Sequence, residues 1–167
     1  MNFHKDQKGF TMVELVIVTA VIMLMAVFSV TMIGRLRYAK TEQVVEAVFN
    51  ALRKHQINCM SKGKTYLHIY KISDEYFIKT SDSFTNSCED TNGYSLGSNV
   101  TIKKNEWNEA AHTEVITEIN GTGQLIISYK KDGSFDFLGN DIREIIIVGQ
   151  SDHVIKLNKS TGKSVLE

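Results

Sequence analysis

Glu14 draws attention first, because it sets one carboxylate inside a stretch that is otherwise apolar. No other residue between Phe10 and Ile33 carries a charge. A carboxylate held in an apolar, membrane-like setting costs roughly 2 kcal/mol or more unless it reaches the interface or meets a cation. Its chemistry is that of one half of an ion pair. Just upstream, Gly9 has neither a side chain nor helix propensity, so the bond that follows it can stay extended and accessible. Lys5 and Lys8 precede it as the cations of a short polar start.

The other groups that could do chemistry are less organised. His4, His55, His68, His112 and His153 are scattered without metal-ligand spacing and read as surface or strand residues, so no metal and no cofactor is expected. Ser151-Asp152-His153 holds the residue types of a hydrolytic triad. Consecutive residues in a strand or turn point apart, however, whereas a triad converges in space. Gly121-Thr122-Gly123 before a strand reads as a turn rather than a phosphate cradle. Trp107, Phe135 and Phe137 read as core aromatics, and Lys103, Lys104, Lys130, Lys131, Lys159 and Lys163 as solvated strand edges. Those lysines would meet nucleic-acid phosphates only if the protein served DNA uptake. The sequence holds no hydrolase elbow, P-loop or dinucleotide fingerprint, and a non-enzymatic role is expected.

Two cysteines, Cys59 and Cys88, are too few for a disulfide scaffold. If both lie outside a membrane they can join, closing a long loop and contributing about 3 kcal/mol. The alternative has Cys59 as a small buried residue on a helix and Cys88 free.

The elements that must position these residues follow from hydropathy and punctuation. The run from Phe10 to Ile33 is long enough to cross a bilayer as a helix, which takes about 20 residues. No small-residue cleavage pattern follows it, so the segment is expected to be retained. After Gly34 the apolar residues narrow to one stripe, with Val45, Val48, Phe49, Leu52 and Cys59 together and Glu46, Arg53 and Lys54 off it. One helix is therefore predicted from Phe10 to about Ser61, with Gly63 as its end signal.

Beyond Gly63 the chain reads as strands. Lys64–Tyr70 and Glu75–Lys79 flank Ser73-Asp74; Leu125–Tyr129 and Ser134–Leu138 flank Asp132-Gly133; Glu144–Val148 and Val154–Leu157 flank Gln150-Ser151-Asp152. The polar stretch Thr80–Ser98 reads as a long loop. A length of 167 residues, with 19 basic and 19 acidic residues cancelling, suits one domain plus an appendage and no net field toward nucleic acid. The predicted fold is α+β: a long N-terminal transmembrane and amphipathic helix packed on a C-terminal antiparallel β domain.

Lys8-Gly9-Phe10-Thr11-Met12-Val13-Glu14-Leu15, followed at once by the apolar run, closely resembles the class III signal of type IV prepilins and pseudopilins. The resemblance implies a lollipop-shaped pilin fold. It also implies a leader at residues 1–9 cut by a prepilin peptidase between Gly9 and Phe10, with N-methylation of Phe10. Residues 10–33 would be the transmembrane and assembly helix, 34–62 the amphipathic helix, and 63–167 the extracytoplasmic β domain. Glu14 would pair with the N-terminal amine of a neighbouring subunit, and the partners would be other pilin subunits and an inner-membrane assembly platform.

A second resemblance rests on Ala51-Leu52-Arg53, Gln56-Ile57, Ser61-Lys62-Gly63, Ile126-Ile127-Ser128-Tyr129, Asp132-Gly133-Ser134-Phe135 and Thr161-Gly162-Lys163. These look like the H-type minor pseudopilin of type II secretion, its minor pilin relatives, and the D-type competence pseudopilin. The chain departs from that pattern at Lys163, where Arg is usual, and in lacking an Ala-Arg pair before the helix end. The implied function is a minor pilin or pseudopilin. A major pilin, or a bitopic protein whose β domain binds a ligand without polymerising, stand as alternatives.

Overall fold

The computed structural model describes residues 11–85, 91–120, 123–136, 138 and 141–167. It divides into two compact units, Met1–Leu36 and Arg37–Glu167. Helix α1 (Met12–Lys62) supplies the described part of the first and the opening element of the second. The helix predicted from Phe10 is thus present, while Phe10 itself lies outside the described residues.

In the first unit α1 carries no charge between Glu14 and Arg35, and no residue of Met12–Ser29 is buried. The segment is long and apolar enough to cross a bilayer. Exposed among the described residues, a helix of this composition presents a large apolar surface that suits an apolar medium. Two of its hydroxyls are satisfied within the helix: Thr19 Oγ1 donates to the Val16 carbonyl at 2.9 Å and Ser29 Oγ to the Met25 carbonyl at 2.8 Å. Such back-bonding lets polar side chains sit in an apolar medium without unpaired donors.

The second unit adds ten strands to the remainder of α1. They are β1 (Tyr66–Ile72), β2 (Glu75–Ser81), β3 (Tyr94–Gly97), β4 (Thr101–Asn108), β5 (Thr113–Glu118), β6 (Leu125–Tyr129), β7 (Phe135–Asp136), β8 (Asp141–Val148), β9 (Asp152–Leu157) and β10 (Ser164–Leu166). They form two five-stranded antiparallel sheets, ordered β3-β2-β1-β6-β7 and β10-β9-β8-β4-β5. The fold is α+β, as the sequence predicts. The expected hairpin around Ser73-Asp74 pairs β1 with β2 from Tyr66 opposite Ser81 to Ile72 opposite Glu75. Ser73 takes a positive φ of 56° to close that turn. The hairpins β6–β7 and β8–β9 form where expected, although β8 starts earlier, at Asp141.

Two differences from the sequence reading stand out. The polar stretch Thr80–Ser98 is not wholly loop, since Tyr94–Gly97 pairs with β2 as edge strand β3 and buries Leu96. One buried leucine among polar neighbours leaves no alternation to read. The hairpin of β4 and β5, with its turn at 109–112, escaped notice for a related reason. β5 is exposed from Thr113 to Thr117, so it lacks an apolar face.

One core joins the helix to both sheets. Val45, Val48 and Leu52 are wholly buried and Cys59 is 1% exposed, so four of the five stripe residues face inward, and Phe49 packs against them partly buried. They cluster with Leu67, Ile69 and Ile127 of one sheet and Ile102, Ile145 and Ile147 of the other. Gln56 fixes the helix along its axis by donating from Nε2 to the Gly133 carbonyl at 2.8 Å and the Thr161 carbonyl at 3.4 Å. Near Thr41 the approach is closest, because a Cβ on Gly149 would fall 2.5 Å from Thr41 Oγ1. Glycine is needed there for space. Gly63, with φ of +113°, ends the helix as its position after Lys62 predicts.

Candidate functional site

Thr11 and Glu14 together build the first turn of α1. The Thr11 backbone N–H and Oγ1 both donate to Glu14 Oε2, at 3.1 and 3.0 Å, while the Glu14 N–H donates back to Thr11 Oγ1 at 3.3 Å. This reciprocal pair is a capping box, which satisfies donors that a helix start leaves without intrahelical partners. The carboxylate also lies where the positive end of the helix dipole favours it. Its signal, Thr-x-x-Glu, stands in the sequence at Thr11-Met12-Val13-Glu14, and reading Glu14 only as half of an intersubunit pair passes over it. One oxygen, Oε2, is held in the turn. Among the described residues the capping contacts use Oε2 alone. Gly9, Phe10 and the rest of residues 1–10, His4 among them, lie outside the described residues.

Elsewhere the candidate residues fall apart as a site. His55 and His68 are not surface residues: they are 1% and 0% exposed. His55 sits on the core side of α1, one turn before Cys59, with Nε2 at 3.6 Å from Cys59 Sγ and Nδ1 at 3.4 Å from Thr65 Oγ1. Its ring tilts against Tyr129 at 5.6 Å between centroids. Burial drives its pKa down from 6.5 to about 4, so the imidazole is neutral. Burial likewise lowers His68, with Gln124 partly offsetting it. His112 occupies the exposed β4–β5 turn with φ of 49°. No group of three or more metal-ligating side chains occurs among the described residues.

His153 Nε2 lies 2.8 Å from Ser151 Oγ and 3.2 Å from Glu42 Oε1. Serine and carboxylate meet the same ring nitrogen, whereas a triad places them on opposite nitrogens, and Asp152 takes no part. The contact fastens α1 to the start of β9. Cys59 is a buried thiol within 3.3 Å of Thr65 Oγ1. Cys88 lies outside the described residues.

The aromatic and basic candidates also separate. Phe135 is core, its ring tilted against Tyr129 at 4.5 Å between centroids. Trp107 is not core: it is partly exposed on β4, with the Arg143 guanidinium 4.2 Å over its ring. Phe137 lies outside the described residues. Lys104 pairs with Glu106 at 2.7 Å and Lys159 with Asp141 at 3.3 Å, which turns them to carboxylates within the fold.

The family model of the prokaryotic N-terminal methylation motif matches residues 4–30, the segment that holds Gly9, Phe10, the capping box and the apolar span. No curated protein and no solved structure matches the chain. The motif supports a type IV pilin-like subunit, and implies processing by a prepilin peptidase and assembly with other pilin subunits. The apolar helix start is consistent with membrane anchoring.

Proposed function

We propose that this chain is a minor pilin or pseudopilin, cut between Gly9 and Phe10, N-methylated on Phe10, and incorporated into a type IV pilus-like filament or its priming complex. The observation that carries the reading is the methylation motif running directly into a fully exposed apolar helix whose first turn holds Glu14. Before assembly the span from residue 10 to 33 anchors the subunit, with the leader cytoplasmic and residues 63–167 outside. In the filament the apolar helices replace lipid around one another. The placement among minor subunits rests on the second resemblance given above, and the assembly platform of the membrane is the expected partner.

Glu14 sets the axial register. Smooth apolar helices distinguish poorly between positions one turn apart, whereas a carboxylate paired with a charged amine at low dielectric penalises mispairing by several kcal/mol. After cleavage Phe10 bears the amine and Thr11 is the helix cap. The capping box holds Oε2 on the subunit's own turn, leaving Oε1 for the amine of the neighbour. Glu14→Val should therefore insert in membranes normally and be cut normally, yet enter sheared filaments poorly. Incorporation at the wild-type level, at equal expression, would refute the registry role.

A further inference from the structure

Three cations, Arg35, Arg37 and Lys40, follow closely on the apolar run that ends at Ile33. All three are exposed, and none pairs with a carboxylate among the described residues. Lys64, Lys104, Lys156 and Lys159, by contrast, each hold a carboxylate within the fold. Arg37 also lines a cavity of about 610 Å³ together with Thr41, Ser98, Asn99, Thr101 and Gln150. The connection from β3 to β4 and the β8–β9 turn supply the walls that α1 does not. The wall beside Arg37 is fixed. Thr41 is 1% exposed, its Oγ1 donates to the Arg37 carbonyl at 3.2 Å, and Gly149 packs against it too closely for a side chain. Every polar side chain lining the cavity can donate a hydrogen bond, Arg37 is its cation, and no carboxylate lines it among the described residues.

We propose that this cavity binds the phosphodiester headgroup of an anionic, hydroxyl-bearing phospholipid, such as a phosphatidylglycerol, while the subunit is held in the membrane. Arg37 lies four residues past Ile33 on α1, about 6 Å along a helix. The headgroup layer is about 5–7 Å deep on each face of a bilayer, which places Arg37 at phosphate depth. A guanidinium meets a phosphate through two parallel N–H···O bonds. The hydroxyl and amide groups around it suit the remaining phosphate oxygens and the hydroxyls of the headgroup. A choline headgroup brings a cation toward Arg37 and no hydroxyl for Asn99 or Gln150, so the site discriminates against it. Arg35 and Lys40 do not line the cavity but attract anionic lipid to the same layer. Free phosphate shares the charge chemistry, yet only a lipid delivers it at the depth where Arg37 stands. The inference rests on the membrane-anchored stage of the proposed function and names the ligand that the anchored subunit meets there.

The test places the full chain, purified from producing cells, in phosphatidylcholine vesicles with a trace of phosphatidylglycerol that carries a photoactivatable diazirine on one headgroup hydroxyl. Labelled residues are then mapped by peptide mass spectrometry. The expected result is label on residues 98–101 and 149–150. Arg37→Gln should lower it about fivefold, the effect of one cation beside an anionic headgroup. Arg37→Lys should restore part of it, which a merely misfolded chain would not do, and Lys54→Gln should leave it unchanged. Excess unlabelled phosphatidylglycerol should compete, whereas inorganic phosphate should not. Label confined to residues 10–36 overturns the site, as does equal labelling by a phosphatidylcholine probe with the same diazirine, or undiminished label in Arg37→Gln. Competition by inorganic phosphate alone also overturns it and marks a free-anion site. The mature N-terminus is read in the same digest. A chain that begins at Phe10 and takes no label on these residues overturns the site and leaves the proposed function standing. An uncut chain that takes the label supports the site and removes the cleavage on which that function depends.

Discussion

Glu14 and His55 show how surroundings decide what a titratable residue does. Glu14 stands at a helix start, where its carboxylate accepts from Thr11 twice and completes the cap. His55 stands inside the core, where the charged form of the ring has no place: burial holds its pKa at about 4 against an ordinary 6.5. The direction of the linkage follows. When a base has a lower pKa folded than unfolded, the unfolded chain takes up the proton first, so acid favours unfolding between pH 6.5 and about 4. Above that window the group contributes no pH dependence. Across it the full loss is about 3 kcal/mol for His55, and His68 is displaced in the same direction. Urea midpoints of the detergent-solubilised chain should fall as pH drops from 7 toward 4, and His55→Leu should flatten part of that slope. An unchanged slope in the variant would show that His55 is not the titrating group.

At the scale of elements, α1 was legible because its information is local. The uncharged run, the narrowing of the apolar stripe after Gly34 and the stop at Gly63 are all spacings within one helix, and the burial of Val45, Val48 and Leu52 follows them. The hairpins at Ser73-Asp74, Asp132-Gly133 and Gln150-Ser151-Asp152 were legible from their turns. β3 and β5 were not, because edge strands are held by backbone pairing to a neighbour and need bury little of their own side chains. His68 lies on a strand, as one of the two expected settings had it, but its burial was not legible, because one of its neighbours across the sheet, Ile126 on β6, is far away in sequence. Equally non-local is the approach of Gly149 to Thr41, where a Cβ would lie 2.5 Å from Oγ1. Gly149→Ala should destabilise the chain by about 1–3 kcal/mol through overpacking. In a Thr41→Ala background the same substitution should cost much less, since the obstructing atoms are gone. Equal costs in both backgrounds, read from denaturant midpoints, would place the strain elsewhere.

For the whole molecule, the compact unit from Arg37 to Glu167 holds a core shared by α1 and both sheets, while no residue of Met12–Ser29 is buried. The net formal charge is zero, so assembly depends on local complementarity rather than on a long-range field. A chain with so much uncovered apolar helix needs a second environment, first lipid and then, on our account, the same helix in neighbouring subunits. On the proposed reading, the passage from one to the other starts with the cut that frees the amine for Glu14. Mass spectrometry of the N-terminal peptide of the protein from membranes and filaments tests this most directly. The account predicts a chain that begins at N-methylated Phe10, and an uncut, membrane-held precursor when Gly9 is replaced by Leu. A mature protein that still carries residues 1–9, or normal cleavage of Gly9→Leu, would contradict it.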